Sequence, residues 1–164
     1  MSKAFTREDD GATPEATPVG PAPLAPGEVR YLTPEGATKL RAELERLEQE
    51  RAPDSASTAS TAPAAEGARR ARQIEAVLAS ATVAALDPAQ DRVLFGAWVT
   101  LEDEAGERTA FRIVGPDEVD ARAQQVSANS PLARAALGRR AGDEVFVDRP
   151  RGGATYTIVS VRYR

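Results

Sequence analysis

Bulky apolar side chains crowd into one half of this chain, and that crowding decides where a packed domain can form. Trp98 and the phenylalanines Phe95, Phe111 and Phe146 all lie beyond residue 90, leaving only Phe5 outside. Hydrophobic residues make up 41% of the chain, but nearly half of that count is alanine. Alanine removes little apolar surface from water, so a core has to come from the concentrated subset. The stretch from Phe95 to Pro150 supplies it, with a dense run of Val, Ile and Phe positions.

That stretch reads as strands. Val93-Leu94-Phe95 and Ala97 to Leu101 are extended segments, followed by a turn at Asp103-Glu104-Ala105-Gly106 and a returning strand over Arg108 to Val114. Gly115-Pro116-Asp117 is a turn, and Val126-Ser127 is a short extended piece. Pro131 to Leu137 is a short helix that Gly138 ends. Asp143 to Asp148 and Thr155 to Val161 complete the set, separated by a turn at Pro150 to Ala154. Four or more antiparallel strands with one short helix make a small α+β domain over residues 90–164. Trp98, Phe95, Phe111 and Phe146 are expected in its core.

Upstream the pattern is helical. Thr33 is a good N-cap, Pro34 suits the first helical position, and Glu35 favours the positive end of the helix dipole. Leu40, Leu44 and Leu47 then form one apolar stripe between charged faces, predicting a helix from Pro34 to about Arg51. Ala71, Ile74, Val77, Leu78 and Ala81 predict a second helix from about Glu66. Residues 52–65, APDSASTASTAPAA, read as a flexible low-complexity connector. The whole of 30–86 is then a short antiparallel helical hairpin, with Asp87-Pro88 as its boundary. A pair this short has little core of its own and must lean on the second domain or a partner. Residues 1–29, rich in Pro, Ala and Gly and bearing Glu8, Asp9 and Asp10, are expected to be a disordered arm; contact of that arm with a basic partner is the less favoured reading.

Composition excludes several functions. The chain has no Cys and no His, which removes thiol chemistry, structural zinc and Ser-His or Cys-His catalysis. The net charge of −4 argues against a general nucleic-acid binder. Arg134, Arg139, Arg140, Arg149 and Arg151 still give the second half a local positive surface, readable equally as solvated scatter or as a role near nucleic acid or acidic protein, such as indirect contact with nucleic acid in a larger complex. No apolar run approaches the roughly 20 residues needed to span a bilayer, and the N-terminus lacks the apolar segment of a secretory signal. A cytoplasmic protein is expected.

The motifs Phe95-Gly96-Ala97-Trp98-Val99, Phe111-Arg112-Ile113-Val114-Gly115 with Asp117-Glu118, Ser130-Pro131-Leu132-Ala133-Arg134-Ala135, Leu137-Gly138 and Gly142-Asp143 follow one another along the chain. In this order they resemble the Gre family of bacterial transcription elongation factors, the GreB branch above all. Tyr31 to Gly36, with Lys39-Leu40 and Glu43-Leu44, resembles the start of the family's coiled coil, and Leu78 to Val83 its end. The resemblance implies an N-terminal antiparallel coiled coil and an FKBP-like C-terminal domain. It implies docking on the rim of the RNA polymerase secondary channel, against a coiled coil of the β′ subunit. Acidic residues at the tip of such a hairpin hold the second catalytic magnesium, and the polymerase cleaves backtracked RNA.

The chain departs from that pattern at the tip. The family motif Gly-Asp-x-x-Glu-Asn, followed by an acid and a Tyr, is missing between Arg51 and Arg69, where Asp54 and Glu66 are the acids. Against the family spacing about 18–20 residues are gone, about nine per helix, or roughly 13 Å at 1.5 Å rise per residue. The expectation is therefore a monomeric, non-enzymatic polymerase-binding factor with no catalytic residue, metal or cofactor. It would modulate elongation, competing with intact Gre factors, without stimulating cleavage. The alternative is a GreB-type factor that still stimulates cleavage, and a third reading is an interaction module with another partner. The resemblance assigns polymerase contact to Ser127, Asn129, Ser130, Pro131 and Leu132. Asn129 stands where the family usually has an acid, which weakens an ionic contact by roughly 1–3 kcal/mol.

Overall fold

The computed structural model describes residues 29–51, 62–148, 150 and 152–163. The arm up to residue 28, Asp54 with most of the connector, and Arg149 and Arg151, for which the sequence raises expectations, lie outside them.

Helix α1 spans Pro34–Glu50 and α2 spans Ala62–Ser80. The second helix thus begins four residues before the expected start near Glu66, because the alanines ahead of Glu66 favour helix over connector. Leu40 and Leu47 of α1 pack with Ala71, Ile74 and Val77 of α2, with Leu44 and Leu78 at the edges. The helices run antiparallel: Arg70 donates to both Glu43 carboxylate oxygens at 2.8 and 3.0 Å, while Gly67 faces Leu47 further along. At 1.5 Å rise per residue each helix is roughly 25–28 Å long.

A two-residue parallel ladder closes the base of this hairpin, which the sequence pattern did not reveal. Strand β1 (Tyr31–Leu32) pairs with β2 (Thr82–Val83), placed immediately before α1 and after α2. Thr82 and Ala84 donate their backbone N–H groups to Arg30 and Leu32 at 2.7 and 2.8 Å. Such short strands come from position rather than propensity, since both chain ends leave the helices side by side.

The remainder is a five-stranded sheet in the order β5-β4-β3-β7-β6. Its strands are β3 (Trp98–Asp103), β4 (Arg108–Val114), β5 (Gln125–Ser127), β6 (Glu144–Val147) and β7 (Ala154–Arg162), with helix α3 at Pro131–Ala136. The architecture is α+β as the sequence implies, but the sheet is mixed rather than wholly antiparallel. Strand β5 runs parallel to β4, pairing Ile113 with Val126. A 3₁₀ turn at Pro116–Glu118 lets the chain double back before rejoining the sheet edge. Val93 to Phe95 is not a strand. Val93 exchanges backbone hydrogen bonds with Arg139 and Gly138 at 2.7 Å, and so stitches this segment to the loop after α3.

Val99, Leu101, Phe111, Ile113, Val145 and Ile158 point to one face of the sheet, where Ala133 and Ala136 of α3 cover them. Of the aromatics expected there, only Phe111 belongs. Trp98 alternates with Val99 and lies half-buried on the opposite face, its ring 6.0 Å from the Arg112 guanidinium. Phe146 lies between the inward Val145 and Val147 and is 65% exposed. Phe95 precedes the sheet and stacks, tilted, against Tyr31 at 5.8 Å. Strand alternation, which sets facing by parity, overrides bulk.

The Glu43–Arg70 pair makes the hairpin sensitive to acid. Its hydrogen bonds from Arg70 hold the Glu43 carboxyl below the usual carboxylate range, against an opposing desolvation effect. A lowered folded value means the stabilisation is complete above the unfolded value and is lost as pH falls through the folded one. Glu43→Gln should therefore lower stability at pH 7 by less than about 1 kcal/mol, since the pair is partly exposed. The difference from the parent should vanish in acid, as followed by helix circular dichroism in thermal melts at stepped pH.

Candidate functional site

The loop from Ser127 to Leu132 joins β5 to α3, and every turn of its backbone is tied. Parallel pairing brings Ser127 beside Val114, and Ala128 donates to the Val114 carbonyl at 2.9 Å. Ser130 donates its N–H to the Ser127 carbonyl at 2.9 Å, while Asn129 donates its own to Ser127 Oγ at 3.1 Å. Ser130 is the N-cap of α3, its Oγ accepting from Ala133 N at 3.2 Å, and Pro131 takes the first helical position. Leu132 packs against the core. The five residues singled out from sequence are thus one continuous turn, and they divide into two jobs. Ser127, Ser130 and Leu132 hold the turn, while Asn129 and Pro131 are exposed at its crest. The crest offers an amide and a proline ring and carries no ionisable side chain; the nearest charge in sequence is the exposed Arg134 on α3.

A second constellation joins the hairpin to the sheet. Glu118, on the 3₁₀ turn, accepts from Thr33 N at 2.9 Å with one carboxylate oxygen and from Thr33 Oγ1 with the other. Thr33 Oγ1 in turn accepts from Gly36 N at 3.0 Å, so the cap of α1 is itself capped from the other part of the molecule. Beside it Arg30 pairs with Asp117, both side chains almost wholly buried. Arg112, 1% exposed, pairs with Glu35 and reaches the Gly96 carbonyl at 3.3 Å. Two ion pairs and one carboxylate cap therefore tie the start of α1 to β4 and its following turn.

Two glycines mark how closely these parts approach. A Cβ on Gly36 would lie 1.6 Å from Glu118 Oε1, and one on Gly115 would lie 2.3 Å from the Tyr31 carbonyl oxygen. Sequence reasoning missed this junction. A glycine in the first turn of a helix, where it costs stability relative to alanine, was the available signal.

At the distal half of the hairpin, Glu50 pairs with Arg46 at 2.8 Å and Glu66 is exposed near the start of α2. Among the described residues no group of three acids is placed to hold a metal ion. None of their helices is long and apolar enough to cross a membrane.

Comparison with known proteins bears on this arrangement. A family model described as the C-terminal part of the GreA/GreB transcription elongation factors matches residues 88–163. The GreB transcription elongation factor of Pseudomonas aeruginosa is 42% identical over 150 residues, covering 80% of this chain and 89% of that protein. The chain belongs to the GreA/GreB family. The GreA factor of Halorhodospira halophila is 40% identical over 154 residues, covering 80% of this chain and 96% of its own length. The GreB factor of Yersinia pestis is 51% identical over 79 residues, which is 46% of that protein. Among solved structures, a GreA/GreB factor from Nitrosomonas europaea covers 83% of this chain at 25% identity and a TM-score of 0.41. The Pseudomonas match spans 150 positions but only 80% of a 164-residue chain, or about 131 residues; about 19 positions of that relative thus lack a counterpart in this Gre chain.

The junction gives a test in which two physical effects oppose. Gly36→Ala improves helix propensity by up to about 1 kcal/mol, yet its methyl would collide with the Glu118 carboxylate. The collision should win, lowering the midpoint of urea unfolding, and Glu118→Ala should erase much of that penalty in the double variant. Thr33→Val should cost about 1–3 kcal/mol by removing the cap and leaving Glu118 short of a donor.

Proposed function

We propose that this chain docks its sheet domain on bacterial RNA polymerase through Ser127, Asn129, Ser130, Pro131 and Leu132. There it modulates elongation at the secondary channel as a cytoplasmic, monomeric, non-enzymatic factor, without stimulating transcript cleavage. The β′ coiled coil at the channel rim is the surface this loop would meet. One observation carries the reading: a domain matching the elongation-factor family is joined to a hairpin whose helices are linked by residues 51–61, where Asp54 is the only acid. Two-metal hydrolysis needs carboxylates held together at the far end of the hairpin, and this linker supplies one.

The shortfall of about 19 positions against the Pseudomonas relative supports a shortened reach. Divided between two helices it would remove roughly 14 Å at 1.5 Å per residue. A factor that docks but does not reach would occupy the channel entrance and compete with longer members of its family.

Two assays on core polymerase test this. Added to a stalled, backtracked complex, the protein should release no cleavage product above background. Added together with a cleavage-competent GreB factor, it should suppress that factor's cleavage in proportion to occupancy. Asn129→Asp should tighten the competition, whereas exchanging Ser130 and Pro131 for Ala and Glu should weaken it at least about tenfold, a loss on the order of 1.4 kcal/mol. Absence of polymerase capture even at low salt would end the docking reading. Stimulated cleavage that disappears when Asp54 and Glu66 are neutralised together would establish the GreB-type alternative instead.

A further inference from the structure

An apolar groove lies at the base of the hairpin, away from the docking loop and unused by the proposed function. It encloses about 240 Å³ between the segment that follows β2 and the residues just ahead of β3. Tyr31 and Phe95 form one wall, their rings tilted at 46° to each other, with Leu86, Leu94 and Tyr163 around them. Tyr163 is fixed by its hydroxyl, which donates to the Arg92 carbonyl at 2.5 Å and accepts from Leu94 N at 2.8 Å. Tyr31, Leu94 and the adjoining Val29 and Val83 are all at least 43% exposed. Large apolar side chains left open side by side mark a surface that something covers.

Chemistry and connectivity point to one occupant. Tilted aromatic rings flanked by aliphatic side chains are the surface on which proline-rich segments dock, since such segments are already extended and lose little entropy on binding. The chain carries such a segment a few residues from the groove: Pro18-Val-Gly-Pro21-Ala-Pro23-Leu24-Ala-Pro26. In the sequence Pro18, Pro21 and Leu24 recur at a spacing of three, as do Pro23 and Pro26, the repeat that proline-recognition grooves read. Leu24 is seven residues from Tyr31, a tether of up to roughly 24 Å at full extension, enough to fold back over the groove. Tethering at that length gives an effective concentration of about millimolar, so weak contacts suffice.

We propose that the groove formed by Tyr31, Phe95, Leu94, Leu86 and Tyr163 is a proline-recognition site occupied by this chain's own segment Pro18–Pro26. Occupancy would cover the seam between hairpin and sheet and leave the loop at Asn129 open.

The absence of cysteine makes a clean test possible on the full chain. Ala22→Cys introduces a single site for a nitroxide label within that segment. Nuclear magnetic resonance should then show selective loss of amide peak intensity at Ala85, Leu94 and Phe95. Gly106, at the opposite end of β3, should be unaffected. Pro21→Ser with Leu24→Ser, changes confined to the segment, should restore the lost intensities. Uniform broadening, no broadening, or broadening that survives those two substitutions would overturn the proposal. So would broadening that appears only when labelled chains are mixed with isotopically enriched, unlabelled ones, which would identify a second copy as the occupant.

Discussion

The arrangement of this molecule hangs on one carboxylate. Glu118 accepts from both the backbone N–H and the hydroxyl of Thr33, a residue 85 positions earlier, and thereby finishes the N-terminus of α1. The first N–H groups of any helix lack partners within it, and the helix dipole places partial positive charge there. A carboxylate delivered by another part of the chain answers both needs. Arg30–Asp117 and Arg112–Glu35 flank the cap, so the point at which α1 leaves the sheet domain is held by charge on three sides.

That rigidity matters because the hairpin has so little else. Its interior is one row of Leu, Ile, Val and Ala side chains, and two helices of this size do not bury enough apolar surface to stand alone. Anchoring at the base supplies what the core lacks. The parallel β1–β2 ladder brings the returning strand to the same point, so both ends of the hairpin share one foundation. The loop from Ser127 to Leu132 is built on the strand that the same turn feeds: β4 leads through Glu118 into β5, and β5 into Ser127 and Asn129. Hairpin direction and loop position are therefore set from one short stretch of chain, Arg112 to Ser127.

Much of this was legible from residues in order. Thr33, Pro34 and Glu35 announced the start of α1, and the leucine stripe announced its buried face. The hairpin β3–β4 and the helix after Ser130-Pro131 followed from turn and cap chemistry, because those signals act over a few neighbouring residues. The loop at Ser127 to Leu132 could be named by resemblance, but the division of labour within it, with Asn129 and Pro131 at the crest, appears only once the turn is drawn. Bulk is a poor guide to facing where strand parity decides it, as at the exposed Phe146 and the half-buried Trp98. The strand expected over Val93 to Phe95 gives way to a loop because the partners of Val93, Gly138 and Arg139, lie far along the chain.

By itself, then, the sequence determined the local elements, the α+β class and the kinship with the elongation factors, since periodicity, caps and motif order are properties of neighbours. Tertiary structure alone decided that Asp117 and Glu118 serve the hairpin, that Gly36 and Gly115 are small to let two segments touch, and that β5 runs parallel. It also decided that Tyr31 and Phe95 share a wall. Each of these depends on which distant groups meet. A buried carboxylate or an exposed ring acquires its meaning from the partner it faces, and no spacing along the chain specifies that partner.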